Sequence, residues 1–109
     1  MQRSDYENVT VSELKSRLDA GDRPVLLDVR EPWEFELARL EGSKLIPMSQ
    51  LQERFTELDP ASETVVICHH GNRSSYVTWA LQRAGFEKVL NLEGGLEAYS
   101  SVDESVPRY

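Results

Sequence analysis

The only cysteine of this chain is followed by the segment with the clearest chemical character. Cys68 ends a β-branched run, Thr64–Cys68, that predicts a central strand. The polar turn after it consists of His69, His70, Gly71, Asn72, Arg73 and Ser74, and a helix-period stretch follows. Such a strand-to-helix turn can point backbone amides at an anion, and the helix adds the positive end of its dipole. We therefore expect Cys68 to be partly thiolate and to act as a nucleophile.

Two residues of this turn suit anion binding. Gly71 can adopt backbone conformations that a side chain would forbid, and Arg73 offers a planar guanidinium that matches oxyanions. A lone cysteine at a strand end is usually an inert core residue, because cysteine is among the most buried residue types. Core packing does not require a polar turn with glycine and arginine directly after the strand, so the sequence favours a reactive Cys68.

The elements that must position this turn alternate between strand and helix. The predicted strands are Val25–Val29, Leu45–Ile46, Thr64–Cys68 and Lys88–Asn91. The predicted helices run from a Thr10–Glu13 capping box to Gly21, from Pro32 to Leu37, from a cap at Ser49 to Leu58, from Ser74 to Ala84 and from Glu93 to Tyr99. This alternation, with strands that are apolar on both faces, indicates an α/β fold with a mainly parallel central sheet and helices on both faces.

Length and composition bound the class of protein. The 109 residues fit a single domain, 1–109, with a core from about residue 9 to about residue 100 and an irregular tail over 101–109. A net charge of −7 argues against general binding to nucleic acid or to an anionic membrane. No apolar run is long enough to cross a bilayer, and residues 1–7 lack the apolar segment of a signal peptide. One cysteine forms no internal disulfide, so we expect a cytoplasmic protein.

The turn after Cys68 resembles the C-x-x-G-x-R-S active-site loop of rhodanese-type sulfurtransferases. Further segments that resemble the same family are Leu27–Glu31, Glu41–Pro47, Gly85-Phe86 and Leu92–Tyr99. Together they extend over residues 9–100, and their order along the chain is specific to the family. The tail Val102–Tyr109 is also similar to the tail of rhodanese domains fused to molybdopterin-synthase adenylyltransferases.

The resemblance implies a reaction and a site. Cys68 would take sulfane sulfur from thiosulfate or a persulfide donor, and a thiol, cyanide or a sulfur-relay protein would accept it from the Cys68 persulfide. The residues expected to bind the small anionic donor are His69, His70, Gly71, Asn72, Arg73, Ser74 and Arg30. Asp28 is expected to give structural support, although a general base is its alternative role, and Arg30 is either the partner of Asp28 or a donor contact. Neither a cofactor nor a metal is expected.

Three other interpretations compete with sulfur transfer. Phosphatase-like or arsenate-reducing chemistry also uses a cysteine–arginine loop, but four residues separate Cys68 from Arg73 and phosphatase-type loops are one residue longer. A protein-partner relay or interaction module with little activity of its own is the second. A redox-sensor thiol is the third, and the lack of a second, resolving cysteine counts against a version with an internal disulfide. A metal site at His69 and His70 is disfavoured as well, because adjacent ligands need distant cysteines or histidines to complete a tetrahedral site.

The aromatic residues at helical positions and one acidic segment are given structural roles. The aromatic residues at helical positions are expected in the core: Trp33, Phe35, Phe55 and Trp79. The acidic residues Glu31, Glu34 and Glu36 are expected on a solvated face.

Overall fold

The computed structural model describes residues 7–109. Most of the segment examined for a signal peptide, residues 1–6, therefore lies outside the described residues. Among those described, no helix is both long and apolar enough to span a membrane.

A parallel five-stranded sheet forms the centre of the molecule. Its strands are β1 (Glu7–Val9), β2 (Val25–Asp28), β3 (Lys44–Leu45), β4 (Thr64–Ile67) and β5 (Val89–Leu92). Their spatial order is β1-β5-β4-β2-β3, and every paired strand runs parallel to its neighbour. The register places Asp28 beside Ile67, so the carboxyl ends of β2 and β4 lie at one edge of the sheet. Polar loops after these two strands are thereby brought together.

Helices cover both faces of the sheet, as predicted. They are α1 (Val11–Asp19), α2 (Pro32–Leu37), α3 (Leu51–Arg54), α4 (Asn72–Arg83) and α5 (Gly95–Tyr99). Side chains alternate along β4, so Val65 and Ile67 join a core cluster with α1 and α5. Val66 and Cys68 join the opposite cluster, with α3 and α4. The cysteine therefore lies under the helix that its own loop starts.

Local sequence signals explain several of these boundaries. The Thr10–Glu13 capping box is present, with reciprocal hydrogen bonds of 2.9 and 3.1 Å, and Pro32 opens α2. α4 begins at Asn72, two residues earlier than predicted, because Gly71 with φ +102° serves as its N-cap. The predicted helix from Ser49 is wrong in form: the segment is two 3₁₀ turns, Met48–Gln50 and Phe55–Glu57, around the short α3.

Two predictions about position fail. β1 is absent from the prediction because Glu7 and Asn8 are exposed and Val9 alone carries an apolar signal. Trp33 is not core, since 61% of it is exposed at the start of α2, whereas Phe35, Phe55 and Trp79 are partly buried.

Candidate active site

The backbone after β4 wraps around the sulfur of Cys68. The amide N–H of Gly71 donates to Cys68 Sγ at 3.0 Å, and that of Ser74 donates at 3.3 Å. Cys68 itself is fully buried. Two amides and the first turn of a 12-residue helix thus surround the sulfur with positive partial charge. These groups stabilise a thiolate or another sulfur anion more than they stabilise a neutral thiol.

Backbone packing against α5 holds this loop in shape. The N–H groups of Leu96 and Glu97 donate to the carbonyls of Cys68 and His69 at 2.8 and 3.0 Å. Gly95 is required there, because a Cβ on it would overlap the carbonyl oxygens of Cys68 and His69. Gly95, the first residue of α5, therefore has a steric role: it lets the amides of α5 reach the carbonyls of the cysteine loop.

Arg73 lies beside the loop in an ion pair with a residue of α2. Its guanidinium makes two parallel hydrogen bonds to Glu34, at 2.8 and 3.0 Å. The side chain of Arg73 is 33% exposed, whereas that of Glu34 is 5% exposed. Hydrogen bonding to Arg73 lowers the pKa of Glu34 to about 2, and the same bonds raise the pKa of Arg73. The expectation that Glu34 lies on a solvated face is therefore wrong, because it is the buried partner of this pair.

Arg30 and Asp28 lie on the neighbouring strand end and form a separate, fully buried pair. Arg30 donates to both carboxylate oxygens of Asp28, at 2.8 and 2.7 Å. Its other N–H groups bond to the carbonyls of Glu34 and Ala38 and to the hydroxyl of Tyr109. A guanidinium has five N–H donors, so these contacts use all of them. Of the two roles predicted for Arg30, the geometry shows the pairing with Asp28, and it leaves no N–H donor of Arg30 free for a sulfur donor.

Tyr109 reaches this pair from the tail. Its hydroxyl accepts from Arg30 at 2.8 Å and donates to Glu34 at 3.0 Å, which links the two ion pairs. Burial raises the pKa of Tyr109 to about 12, so the phenol stays protonated and able to donate. The sequence contains no local signal for this contact, because it joins residues 75 and 79 positions apart.

The two histidines of the loop form a stacked aromatic layer with Tyr109. The ring of His69 lies 4.1 Å from that of His70 and 4.2 Å from that of Tyr109. His70 and Asn72 are exposed, so they flank the outer side of the loop.

Glu97 completes a group of three side chains with metal-binding chemistry. Its ligand atoms and those of His69 and His70 lie within 4.8 Å of one another. However, the histidine rings are within 12° of parallel, so an ion in the plane of one ring lies outside the plane of the other. Glu97 is also paired with Arg108 at 2.6 Å. These features favour a stacked layer over a metal centre.

The fold and this loop together define a class of protein. A parallel α/β domain that surrounds a single cysteine with amides at a strand-to-helix turn is built for thiol-based group transfer. The chain belongs to the rhodanese-like domain family, whose family model matches residues 10–102.

Individual relatives agree with this assignment. The chain is 39% identical to the Rhodanese-like/PpiC domain-containing protein 12, chloroplastic, of Arabidopsis thaliana, over 99% of this chain and 39% of that protein. It is 33% identical to the probable adenylyltransferase/sulfurtransferase MoeZ of Mycobacterium tuberculosis, over 91% of this chain and 26% of that protein. A solved rhodanese-related protein from Thermoplasma volcanium superimposes with a TM-score of 0.81 at 31% identity, covering 94% of this chain and 96% of that one.

These findings confirm two predictions. The family resemblance, including the resemblance to domains fused to adenylyltransferases, is confirmed, and so is the α/β fold with its parallel sheet. The chain spans well under half the length of the two curated relatives above.

Proposed function

We propose that this chain is a sulfurtransferase that carries sulfane sulfur as a persulfide on Cys68. The observation that carries the proposal is the pair of amide donors, Gly71 and Ser74, directed at the sulfur. The Cys68 thiolate attacks the outer sulfur of thiosulfate, the S–S bond breaks, and sulfite leaves with the electron pair. A thiolate or cyanide then attacks the outer sulfur of the persulfide, and the Cys68 thiolate is restored.

The side chain of Arg73 still has hydrogen-bond donors that can bind an anionic sulfur donor. Arg73 is partly exposed, and its two bonds to Glu34 use two of its five N–H donors. We assign the oxygens of thiosulfate to the free edge of this guanidinium, with His70 and Asn72 on the outer side of the loop. Glu34 offsets part of the charge of Arg73, which makes a less charged persulfide an equally suitable donor.

A relay between proteins is the second candidate, and one observation favours it. Trp33 is 61% exposed, and it contacts the ring of Tyr109 edge-on at 6.3 Å. Tyr109 in turn stacks on His69, so an exposed aromatic side chain lies next to the cysteine loop. Exposed aromatic residues of this kind are enriched at protein interfaces. A protein that receives sulfur from Cys68 would dock over Trp33.

Intact-mass spectrometry after incubation with thiosulfate tests the main proposal. We expect the protein to gain the mass of one sulfur atom and to lose it again when cyanide is added. The Cys68→Ser variant should gain nothing, and Ser12→Ala, a change at an exposed residue of α1, should gain as the wild type does. Sulfur uptake by Cys68→Ser, or Cys68-dependent hydrolysis of a phosphate ester without any sulfur uptake, would overturn the proposal.

A donor comparison tests the role of Arg73. Arg73→Lys keeps a charge beside Glu34 but removes the planar fork that matches oxyanions. We expect loading from thiosulfate to slow by about tenfold, the scale of one charge-assisted hydrogen bond. The rate of loading from glutathione persulfide should change much less, because this donor carries no sulfonate oxygens for Arg73 to bind. An equal loss of loading rate for the two donors would show that Arg73 does not contact the oxygens of thiosulfate.

A Trp33→Ala variant tests the relay. If it loads sulfur normally but transfers it poorly to a protein acceptor, the relay is supported.

A further inference from the structure

Asn91 is a polar residue in the middle of a buried apolar strand. It belongs to β5, Val-Leu-Asn-Leu, in which every residue is buried, and it is itself 5% exposed. A buried amide without hydrogen bonds is costly, so its partners are informative. Its Nδ2 donates at 3.0 Å to Oδ1 of Asn8, the residue beside it on β1. Its Oδ1 accepts at 2.5 Å from the hydroxyl of Ser74.

Ser74 connects this amide to the reactive sulfur. Its Oγ lies 3.3 Å from Cys68 Sγ, and in this bond the thiol donates and the hydroxyl accepts. A hydroxyl has one hydrogen. Because the hydrogen of Ser74 points to Asn91, a lone pair of Oγ faces the sulfur. That arrangement suits a neutral thiol, whereas a thiolate in the same place would face a lone pair without a hydrogen.

We propose that Asn91 is a positioning residue that restrains the ionisation of Cys68 by holding the Ser74 hydroxyl hydrogen away from the sulfur. When the thiol ionises, its proton goes to solvent and no proton leaves Ser74. The hydroxyl rotates toward Sγ and gives up its bond to Asn91. The buried Oδ1 of Asn91 is then left without its donor, which opposes the rotation.

The backbone amides of the loop and the Ser74 hydroxyl therefore have opposite effects on the ionisation of Cys68. The amides of Gly71 and Ser74 favour the sulfur anion in every state, because they are fixed by the backbone. The Ser74 hydroxyl favours the neutral thiol while Asn91 holds it, and it favours the anion once released. This inference deepens the proposed function, since it concerns the nucleophile on which sulfur transfer depends.

Several titratable groups lie on the loop and on the elements packed against it, and their contributions must be separated from this effect. On α4 and α2 these are Arg73 and its partner Glu34, on the loop His69 and His70, on α5 Glu97, and in the tail Tyr109. The Asp28–Arg30 pair lies at the neighbouring strand end. None of these side chains touches Asn91 through a hydrogen bond among the described residues, so a comparison of variants at Asn91 holds their contributions constant.

The test is the pH dependence of iodoacetamide alkylation of the only cysteine. Asn91→Leu removes the acceptor of the Ser74 hydroxyl at similar side-chain volume. We expect the midpoint of the alkylation profile to move down by about one pH unit, so that the rate below the midpoint rises by about tenfold. Looser packing that lets water reach the buried sulfur would lower the midpoint as well, so a second comparison must show that the shift depends on the Ser74 hydroxyl.

A double-variant cycle shows whether the effect passes through Ser74. Ser74→Ala removes the hydroxyl but keeps the backbone N–H that donates to the sulfur. In that background, Asn91→Leu should leave the midpoint where Ser74→Ala alone puts it. The inference is overturned if Asn91→Leu does not lower the midpoint in the wild-type background. It is also overturned if Asn91→Leu lowers the midpoint by the same amount in the Ser74→Ala background as in the wild type.

A surface variant covers the case in which Asn91→Leu fails to fold. Asn8 is exposed on the edge strand, and Asn8→Ala frees the Asn91 amide to turn its nitrogen toward Ser74. The midpoint should again move down, by less than in Asn91→Leu, and an unchanged or raised midpoint contradicts the inference. Sulfur uptake by the wild type is measured in parallel: if it is absent, the proposed function fails, whereas an unchanged midpoint with normal uptake removes only the role of Asn91.

Discussion

The loops that follow β2 and β4 start side by side at one edge of the sheet, yet they handle charge in different ways. After β2, the charges of Asp28 and Arg30 neutralise each other with no solvent exposure. After β4, the sulfur of Cys68 faces the amides of Gly71 and Ser74, and no side-chain cation bonds to it among the described residues. A charge satisfied by a rigid salt bridge holds structure together. A sulfur surrounded by amides is stabilised and still free to form a bond.

An unpaired charge in the β2 loop should cost the most stability. Asp28→Asn keeps the shape of the side chain but leaves the buried Arg30 cation without its carboxylate. We expect a loss of about 3–5 kcal/mol in the free energy of unfolding, measured by urea denaturation. Glu57→Gln, in an exposed pair with Arg54, is the matched control and should barely change stability. Equal effects of the two substitutions would contradict the structural role of the buried pair.

The second prediction concerns the backbone support of the β4 loop. Gly95→Ala places a methyl group against the carbonyls of Cys68 and His69, so the loop must move away from α5. Gly21→Ala is the control, because Gly21 also has a positive φ, +94°, but nothing lies within 4 Å of its added Cβ. The control should lose about 1–2 kcal/mol through backbone strain alone.

Gly95→Ala should lose clearly more stability than this control, and it should also load sulfur more slowly, whereas Gly21→Ala should load normally. Urea denaturation and the rate of mass gain with thiosulfate measure the two effects. If both variants load sulfur at the wild-type rate, contact with α5 does not hold the loop in its active shape.

Much of this architecture follows from local sequence. The capping box at Thr10 and the proline at the start of α2 each act within a few residues, so the sequence predicts them. The sequence also predicts that Gly71 adopts a backbone conformation forbidden to a side chain, but not that α4 begins directly after it. The cysteine loop is predicted for the same reason: its donors, Gly71 and Ser74, are three and six residues from Cys68. Asp28 and Arg30 are two residues apart, and their pairing was one of two predicted alternatives.

What the sequence does not predict depends on distant contacts. Glu34 shares α2 with the exposed Glu36, and its main partner, Arg73, lies 39 positions later in the chain. Tyr109 lies in a tail without periodicity, yet it contacts residues of the β2 and β4 loops. Trp33 occupies a helical position that usually faces a core, but it is exposed beside the site. These three contacts or exposures concern the surroundings of the cysteine loop, which only the folded chain brings together.

The stability that the Glu34–Arg73 ion pair contributes should depend on pH. Glu34 has a folded pKa of about 2, below its ordinary value of 4.5, so its ion pair contributes stability above about pH 4.5 and loses it as the pH falls toward 2. Glu34→Gln should therefore be less stable than the wild type at neutral pH, and the difference should shrink over that acidic range. Urea denaturation across the range measures it, with Glu36→Gln as an exposed control on the same helix. A difference that does not depend on pH would mean that Glu34 acts through packing and not through charge.

The smallest expected effect is at the contact that joins the two loops. Tyr109→Phe removes the hydroxyl between Arg30 and Glu34 and keeps the ring that stacks on His69. The loss should be about 1 kcal/mol in the free energy of unfolding, because one hydroxyl and its two hydrogen bonds disappear while Arg73 and Asp28 still neutralise the charges. Tyr76→Phe, at an exposed tyrosine, should lose nothing measurable. If Tyr109→Phe is as stable as Tyr76→Phe but loads sulfur more slowly, the hydroxyl serves the geometry of Arg73 and not the stability of the fold, and the two loops are coupled in function.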